Sequence, residues 1–130
     1  MAIEFEVSET FQGSPALLFH AWLDSAEHTA MTGGEALVSD EVGGSFSAWD
    51  GYISGKNIEL ETGKRILQSW RTDDFDPDAP DSSLCILFQA EDDRVRVTIH
   101  HSDLPEGGMR YHQGWIDFYF EPMKAYFNSR

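Results

Sequence analysis

A chain of 130 residues, 41 % hydrophobic and 13 % aromatic, can bury one good core and is too short for two, so a single domain over 1-130 is expected. Its formal charge of -14, from 9 Lys and Arg against 23 Asp and Glu, opposes phosphate backbones and anionic bilayer faces, so neither nucleic acid nor a membrane is an expected partner. One cysteine, Cys85, rules out an internal disulfide; with no basic and apolar leader over Met1–Glu6 and no stretch of membrane-spanning length, the cytoplasm is the expected location.

Residues 3 to 11 alternate, with Ile3, Phe5 and Val7 on one face and Glu4 and Glu6 on the other, which predicts a half-buried strand. Ser14 is a good N-cap and Pro15 suits the first position of a helix that turns Leu18, Phe19 and Trp22 to the core. Asp24, with Glu27 three residues later, predicts a second short helix that Gly33 ends. Strands are expected over 36 to 39, 45 to 49, 52 to 60 and 65 to 71, with Asp50-Gly51 and Thr62-Gly63 as turns. Ile66, Gln68 and Trp70 share one face of the last of these. Five aspartates and two prolines make 73 to 81 a loop.

A final hairpin over 84 to 90 and 94 to 101 turns at Glu91-Asp92-Asp93. Leu84, Ile86 and Phe88 share one face of the first strand, and Val97, Ile99 and His101 share one face of the second. After a hinge at 104 to 108, residues 109 to 128 predict one long helix with two apolar stripes, kinked at Pro122. Tyr111, Trp115, Tyr119 and Tyr126 lie on one stripe, and Ile116, Phe120, Met123 and Phe127 on the other. The expected order is β-α-α-β-β-β-β-β-β-α: an α+β fold with about seven antiparallel strands curved around the last helix. Such an arrangement leaves room for a ligand between sheet and helix.

Several short motifs occur in a particular order along the chain. They are Ser14-Pro15, Ala21-Trp22-Leu23-Asp24, Met31-Thr32-Gly33, Val42-Gly43-Gly44-Ser45-Phe46 and Trp49-Asp50-Gly51-Tyr52-Ile53-Ser54-Gly55. Lys64 to Arg71, Asp81-Ser82, His101-Ser102-Asp103-Leu104-Pro105, Gly114-Trp115 and Tyr126 follow. In this order the chain resembles the domain family named after the activator of the heat-shock protein 90 ATPase, part of the START and birch-pollen-allergen, or helix-grip (SRPBCC), superfamily. The resemblance implies a helix-grip fold. It implies co-chaperone domains among the relatives, and lipid binders, hormone receptors and cyclases in the wider superfamily. The eukaryotic co-chaperones carry a separate N-terminal chaperone-binding domain for which 130 residues leave no room.

The chemical motifs are sparse. Asp74-x-Asp76-x-Asp78 begins like a calcium loop, but Ala79 stands where glycine is needed and no bidentate Glu follows. His100-His101 lie on opposite strand faces and cannot share one ion. No metal, no cofactor and no catalytic constellation is expected. Gln68 directs an amide into the apolar interior and needs a partner there. The cavity candidates are Trp22, Met31, Phe46, Gln68, Trp70, Ile86, Phe88, Ile99, His101, Trp115 and Tyr119. The leading functional reading is a binding module for a small apolar or aromatic molecule. The rivals are a co-chaperone-like protein with a chaperone or other protein partner, and a cyclase or dehydratase using His101 as general acid or base. Either a monomer or a homodimer is compatible with the sequence.

Overall fold

The computed structural model describes residues 3–128; Met1, Ala2, Ser129 and Arg130 lie outside that description. Strand β1 (Ile3–Gln12) is followed by helices α1 (Pro15–Trp22) and α2 (Ser25–Thr32). Five strands come next: β2 (Ser45–Ala48), β3 (Ile53–Glu61), β4 (Arg65–Thr72), β5 (Ser82–Glu91) and β6 (Arg94–Leu104). All pairings are antiparallel, in the order β1-β6-β5-β4-β3-β2. The C-terminal segment comprises α3 (Arg110–Trp115), a π-helical turn (Ile116–Phe120) and α4 (Glu121–Asn128).

The caps act locally as their residue types dictate. Ser14 Oγ accepts from Leu17 N–H at 3.1 Å and Asp24 Oδ2 from Glu27 N–H at 2.9 Å, each satisfying a donor that its helix leaves open. Gly33 takes φ 89° and closes α2. Alternation then places the core: Ile66, Gln68 and Trp70 of β4, Leu84, Ile86 and Phe88 of β5, and Val97, Ile99 and His101 of β6 are all buried, under α1 and the C-terminal segment. Each fully buried Leu, Ile or Phe contributes about 1.5–3 kcal/mol.

The sheet has six strands, not the expected seven. Residues 36–39 make one bridge, Leu37 with Ser47. Extension fails because the flanking backbone groups are already engaged: Ala36 N–H and C=O bond to Thr29 Oγ1, and Val38 N–H and C=O to Ser25 Oγ. The segment is held between α2 and β2 instead of joining the ladder. Beyond it, Asn57 Nδ2 donates to the carbonyls of Ser39 and Glu41 (2.8 and 3.0 Å), and Asn57 Oδ1 accepts from Gln68 Nε2 (2.9 Å). The partner expected for Gln68 is therefore a neighbouring strand residue, and a buried amide pair holds the loop against the edge of the sheet. Gly55 is required between these strands, since a Cβ there would fall 1.9 Å from Ser69 O.

The C-terminal segment also departs from a single kinked α-helix. Besides Phe120, its buried residues Trp115, Tyr119, Met123 and Phe127 recur every four positions. In an α-helix each four-residue step overshoots a full turn by about 40°, which would rotate Phe127 off the core. The wider π turn, closed by Glu121 N–H to Ile116 O, removes that drift. It also falls just before Pro122, which has no N–H to give to a carbonyl four residues back.

Two hydrogen-bond chains attach this segment to the rest of the molecule. Trp115 Nε1–H donates to His101 Nδ1 (3.1 Å), His101 Nε2–H to Ser82 Oγ (2.9 Å), and Ser82 O–H to the Trp70 carbonyl (2.7 Å). Tyr119 O–H donates to His28 Nε2 (2.8 Å), and His28 Nδ1–H to the Trp22 carbonyl (2.8 Å) at the open end of α1. An indole can only donate and a backbone carbonyl can only accept, so the chains fix opposite tautomers: Nε2–H for His101 and Nδ1–H for His28. Burial holds His28 down at about 4 and His101 at about 3, with the His100 charge adding to the latter; burial raises the Tyr119 phenol.

Both histidines are neutral in the fold and take up protons near 6.5 when unfolded. The unfolded chain thus binds more protons between those values, and stability, complete above about pH 6.5, declines as pH falls toward 4. Each histidine contributes a slope of about 1.4 kcal/mol per pH unit in that window. Urea unfolding at pH 4.5, 5.5 and 7 should show this, and His101→Gln should remove about one histidine's share of the slope. At the sheet edge, Asn57→Ala removes one buried and two partly buried bonds and should cost about 2–4 kcal/mol in the same assay.

Candidate functional site

A recess of about 460 Å³ opens between the start of the C-terminal segment and the β2–β3 end of the sheet. Trp49 and Tyr52 of the β2–β3 turn, with Ile53, form one wall; Trp70 of β4 forms the floor. Gly114, Trp115, Phe118 and Tyr119 form the opposite wall, and Asp74, Arg110 and Tyr111 form the mouth. Trp49 is held by its neighbours: it takes φ 51°, and its ring lies so close over Gly34 that a Cβ there would fall 2.4 Å away. Phe118 is 57 % exposed and meets the Trp49 ring edge-on at 5.7 Å between centroids.

Beneath the recess the aromatic rings are continuous. Trp22 stacks on Tyr119 at 5.1 Å, Tyr119 meets Trp115 at 4.7 Å, Trp115 meets Trp70 at 5.8 Å, and Trp70 meets Tyr111 at 5.0 Å. Of the residues expected to line a cavity, Trp70, Trp115 and Tyr119 border the recess. Trp22, Met31, Phe46, Gln68, Ile86, Phe88, Ile99 and His101 are buried in the core and do not border it. Phe88 packs edge-on against Phe19 at 5.8 Å, and His101 stands edge-on to Trp70 at 4.4 Å. His101 is fully buried with both ring nitrogens bonded inside the protein, while His100 on the outer face lies 3.2 Å from Glu4.

The mouth is polar and connected. The Tyr52 hydroxyl donates to Asp74 Oδ2, which also lies 3.3 Å from Arg110 Nη2. Arg110 Nη2 donates to the Tyr111 hydroxyl (3.2 Å), which shares a proton with Thr72 Oγ1 (2.7 Å), and Thr72 Oγ1 accepts from Asp74 N–H (3.2 Å). Partial burial, then the bond to Asp74, pushes the Tyr52 phenol up to about 12. The acidic loop that carries Asp74 is folded onto the sheet by Phe75, buried beside Trp70, and by Arg71, which donates to the Ala79 and Asp76 carbonyls and pairs with Asp81.

Sequence reasoning missed Trp49, Tyr52, Ile53, Asp74, Arg110, Tyr111, Gly114 and Phe118. Two aromatics flanking the Asp50-Gly51 turn and a glycine inside an aromatic-rich helix were the signals present. Among the described residues, no group of three or more His, Cys, Asp and Glu side chains could hold a metal ion, and no helix is long and apolar enough to cross a membrane.

The arrangement can be set beside known proteins. Residues 12–128 match the family model described as activator of Hsp90 ATPase homolog 1-like protein. The chain is 27 % identical over 122 residues to the human activator of 90 kDa heat shock protein ATPase homolog 1, covering 93 % of this chain and 36 % of that one. It thus spans about a third of that relative's length. The structure of an HSP90 activator from Plasmodium falciparum superposes with a TM-score of 0.85 at 23 % identity, covering 95 % of this chain and 94 % of that chain. The Aha1 dimer from Colwellia psychrerythraea gives 0.81 at 12 % identity, covering 96 % of each chain. At these identities the structures speak for the fold alone, the helix-grip arrangement; the family model, matched over most of the chain, shows that this protein belongs to the Hsp90 ATPase activator homolog 1-like family.

Proposed function

We propose that this protein is a small-molecule binding domain that holds one apolar or aromatic ligand in the recess between the β2–β3 turn, Trp70 and the C-terminal segment. The observation that carries the reading is Gly114. It stands in a helix between Gln113 and Trp115, borders the recess, and a Cβ placed on it would meet nothing within 4 Å. A glycine inside a helix costs about 1 kcal/mol against alanine, and here its missing side chain keeps the recess open. The volume of about 460 Å³ and the aromatic walls suit a ligand of a few fused rings. A π turn bordering the recess adds support, since such turns recur at functional sites.

The family supports a second reading, that the domain engages the heat-shock protein 90 chaperone. The acidic surface would then face a basic region of the partner. As for the cyclase or dehydratase reading, His101 could act as an acid or base only after releasing Trp115 or Ser82, and its ring lies behind Trp70 and Trp115 and does not itself border the recess.

Gly114→Leu separates the readings. The side chain enters open space, so the variant should fold and gain about 0.5–1 kcal/mol in thermal or urea unfolding. It should weaken a neutral apolar dye such as Nile red by at least tenfold in a fluorescence titration. No saturable dye binding by the wild-type protein, together with equal stimulation of the chaperone's ATPase by wild type and Gly114→Leu, would favour the chaperone reading.

A further inference from the structure

The mouth of the recess carries information about the ligand's polar end. Resting on the reading that the recess holds a ligand, we propose that the site takes an uncharged planar aromatic molecule bearing one hydroxyl or amide group, and that Asp74 and Arg110 bind that group. The planar part follows from the walls: Trp49, Trp70, Trp115 and Phe118 offer flat ring faces and edges. The polar part follows from how the two mouth residues divide their atoms. Asp74 uses Oδ2 for both Tyr52 and Arg110, and Arg110 uses Nη2 for both Asp74 and Tyr111. Both side chains are half exposed at the mouth, 50 % for Asp74 and 58 % for Arg110, and among the described residues no protein group bonds to Asp74 Oδ1 or to Arg110 Nε and Nη1, which are open to water or to a ligand. The mouth therefore carries an acceptor-bearing and a donor-bearing side chain side by side, and the ligand group that complements both is one that donates and accepts at once.

Charge selects for the neutral form of that group. Asp74 and Arg110 offset each other 3.3 Å apart, so the mouth is close to balanced locally. A ligand carboxylate would gain Arg110 but lie against Asp74, in a chain of formal charge -14. A ligand ammonium would gain Asp74 but lie against Arg110. Either charge must compete with an existing ion pair, whereas a hydroxyl or amide bonds to both partners without separating them.

Four probes with one ring system test this by isothermal titration against the full chain at pH 7: naphthalene, 2-naphthol, 2-naphthoate and 2-naphthylmethylammonium. The expected result is 2-naphthol binding about tenfold tighter than naphthalene, as hydrogen bonds to charged groups allow, with both charged probes no tighter than naphthalene. In the double variant Asp74→Leu, Arg110→Met, 2-naphthol should fall to the affinity of naphthalene while naphthalene itself is unchanged. The wild-type comparison decides the proposal even if that variant folds poorly. If naphthalene binds but 2-naphthol is no tighter, or a charged probe binds tightest, the assignment of the mouth is overturned and the ligand reading stands. If none of the four binds, both are overturned.

Discussion

Two neutral imidazoles position the segment that forms one wall of the recess. His101 from β6 and His28 from α2 each accept a bond from an aromatic side chain of the C-terminal segment and donate their own N–H inward, one to a sheet hydroxyl and one to a helix-end carbonyl. Hydrophobic burial alone would hold the segment against the sheet with little preference for its rotation or register. The two chains specify both, because Trp115 and Tyr119 can each reach their histidine from only one arrangement of the helix. Were His101 charged, it would have no acceptor for the Trp115 indole, which can only donate, and that bond would be lost; a charged His28 would keep Tyr119 only by turning the phenol hydroxyl into an acceptor, with an uncompensated charge left in the core.

The recess follows from that constraint. With Trp115 and Tyr119 anchored inward, the residues on the flank of the same turn, Gly114 and Phe118, face the β2–β3 turn across open space. The π turn keeps the deeper residues Met123 and Phe127 on the core side while Phe118 stays outside. On the opposite wall, Trp49 is held by a left-handed backbone and by Gly34, so the gap is bounded by rings that packing fixes in place.

Much of the scaffold was legible in the sequence because its signals are local. The alternation of Ile66, Gln68 and Trp70 and of Val97, Ile99 and His101, and the caps at Ser14 and Asp24, each depend on neighbours within four residues. The departures have non-local causes. Residues 36–39 look like a strand until the hydroxyls of Ser25 and Thr29 take up their backbone groups. The π turn answers to a sheet surface that the helix sequence does not contain. The recess draws on residues near 50, 74 and 114, which only the folded chain brings together, and Phe118 belongs to neither apolar stripe. His28 sits in the polar run Ser25-Ala26-Glu27-His28, where no periodicity points inward, although it is as buried as the core aromatics.

The account turns on the protonation states of these two histidines, and nitrogen NMR of labelled protein observes them directly. At pH 7 it should show two buried imidazoles of opposite tautomer, His28 protonated on Nδ1 and His101 on Nε2, both still neutral at pH 5. A spectrum in which either ring titrates near 6.5, or in which both share one tautomer, would contradict the anchoring of the helix and the recess derived from it.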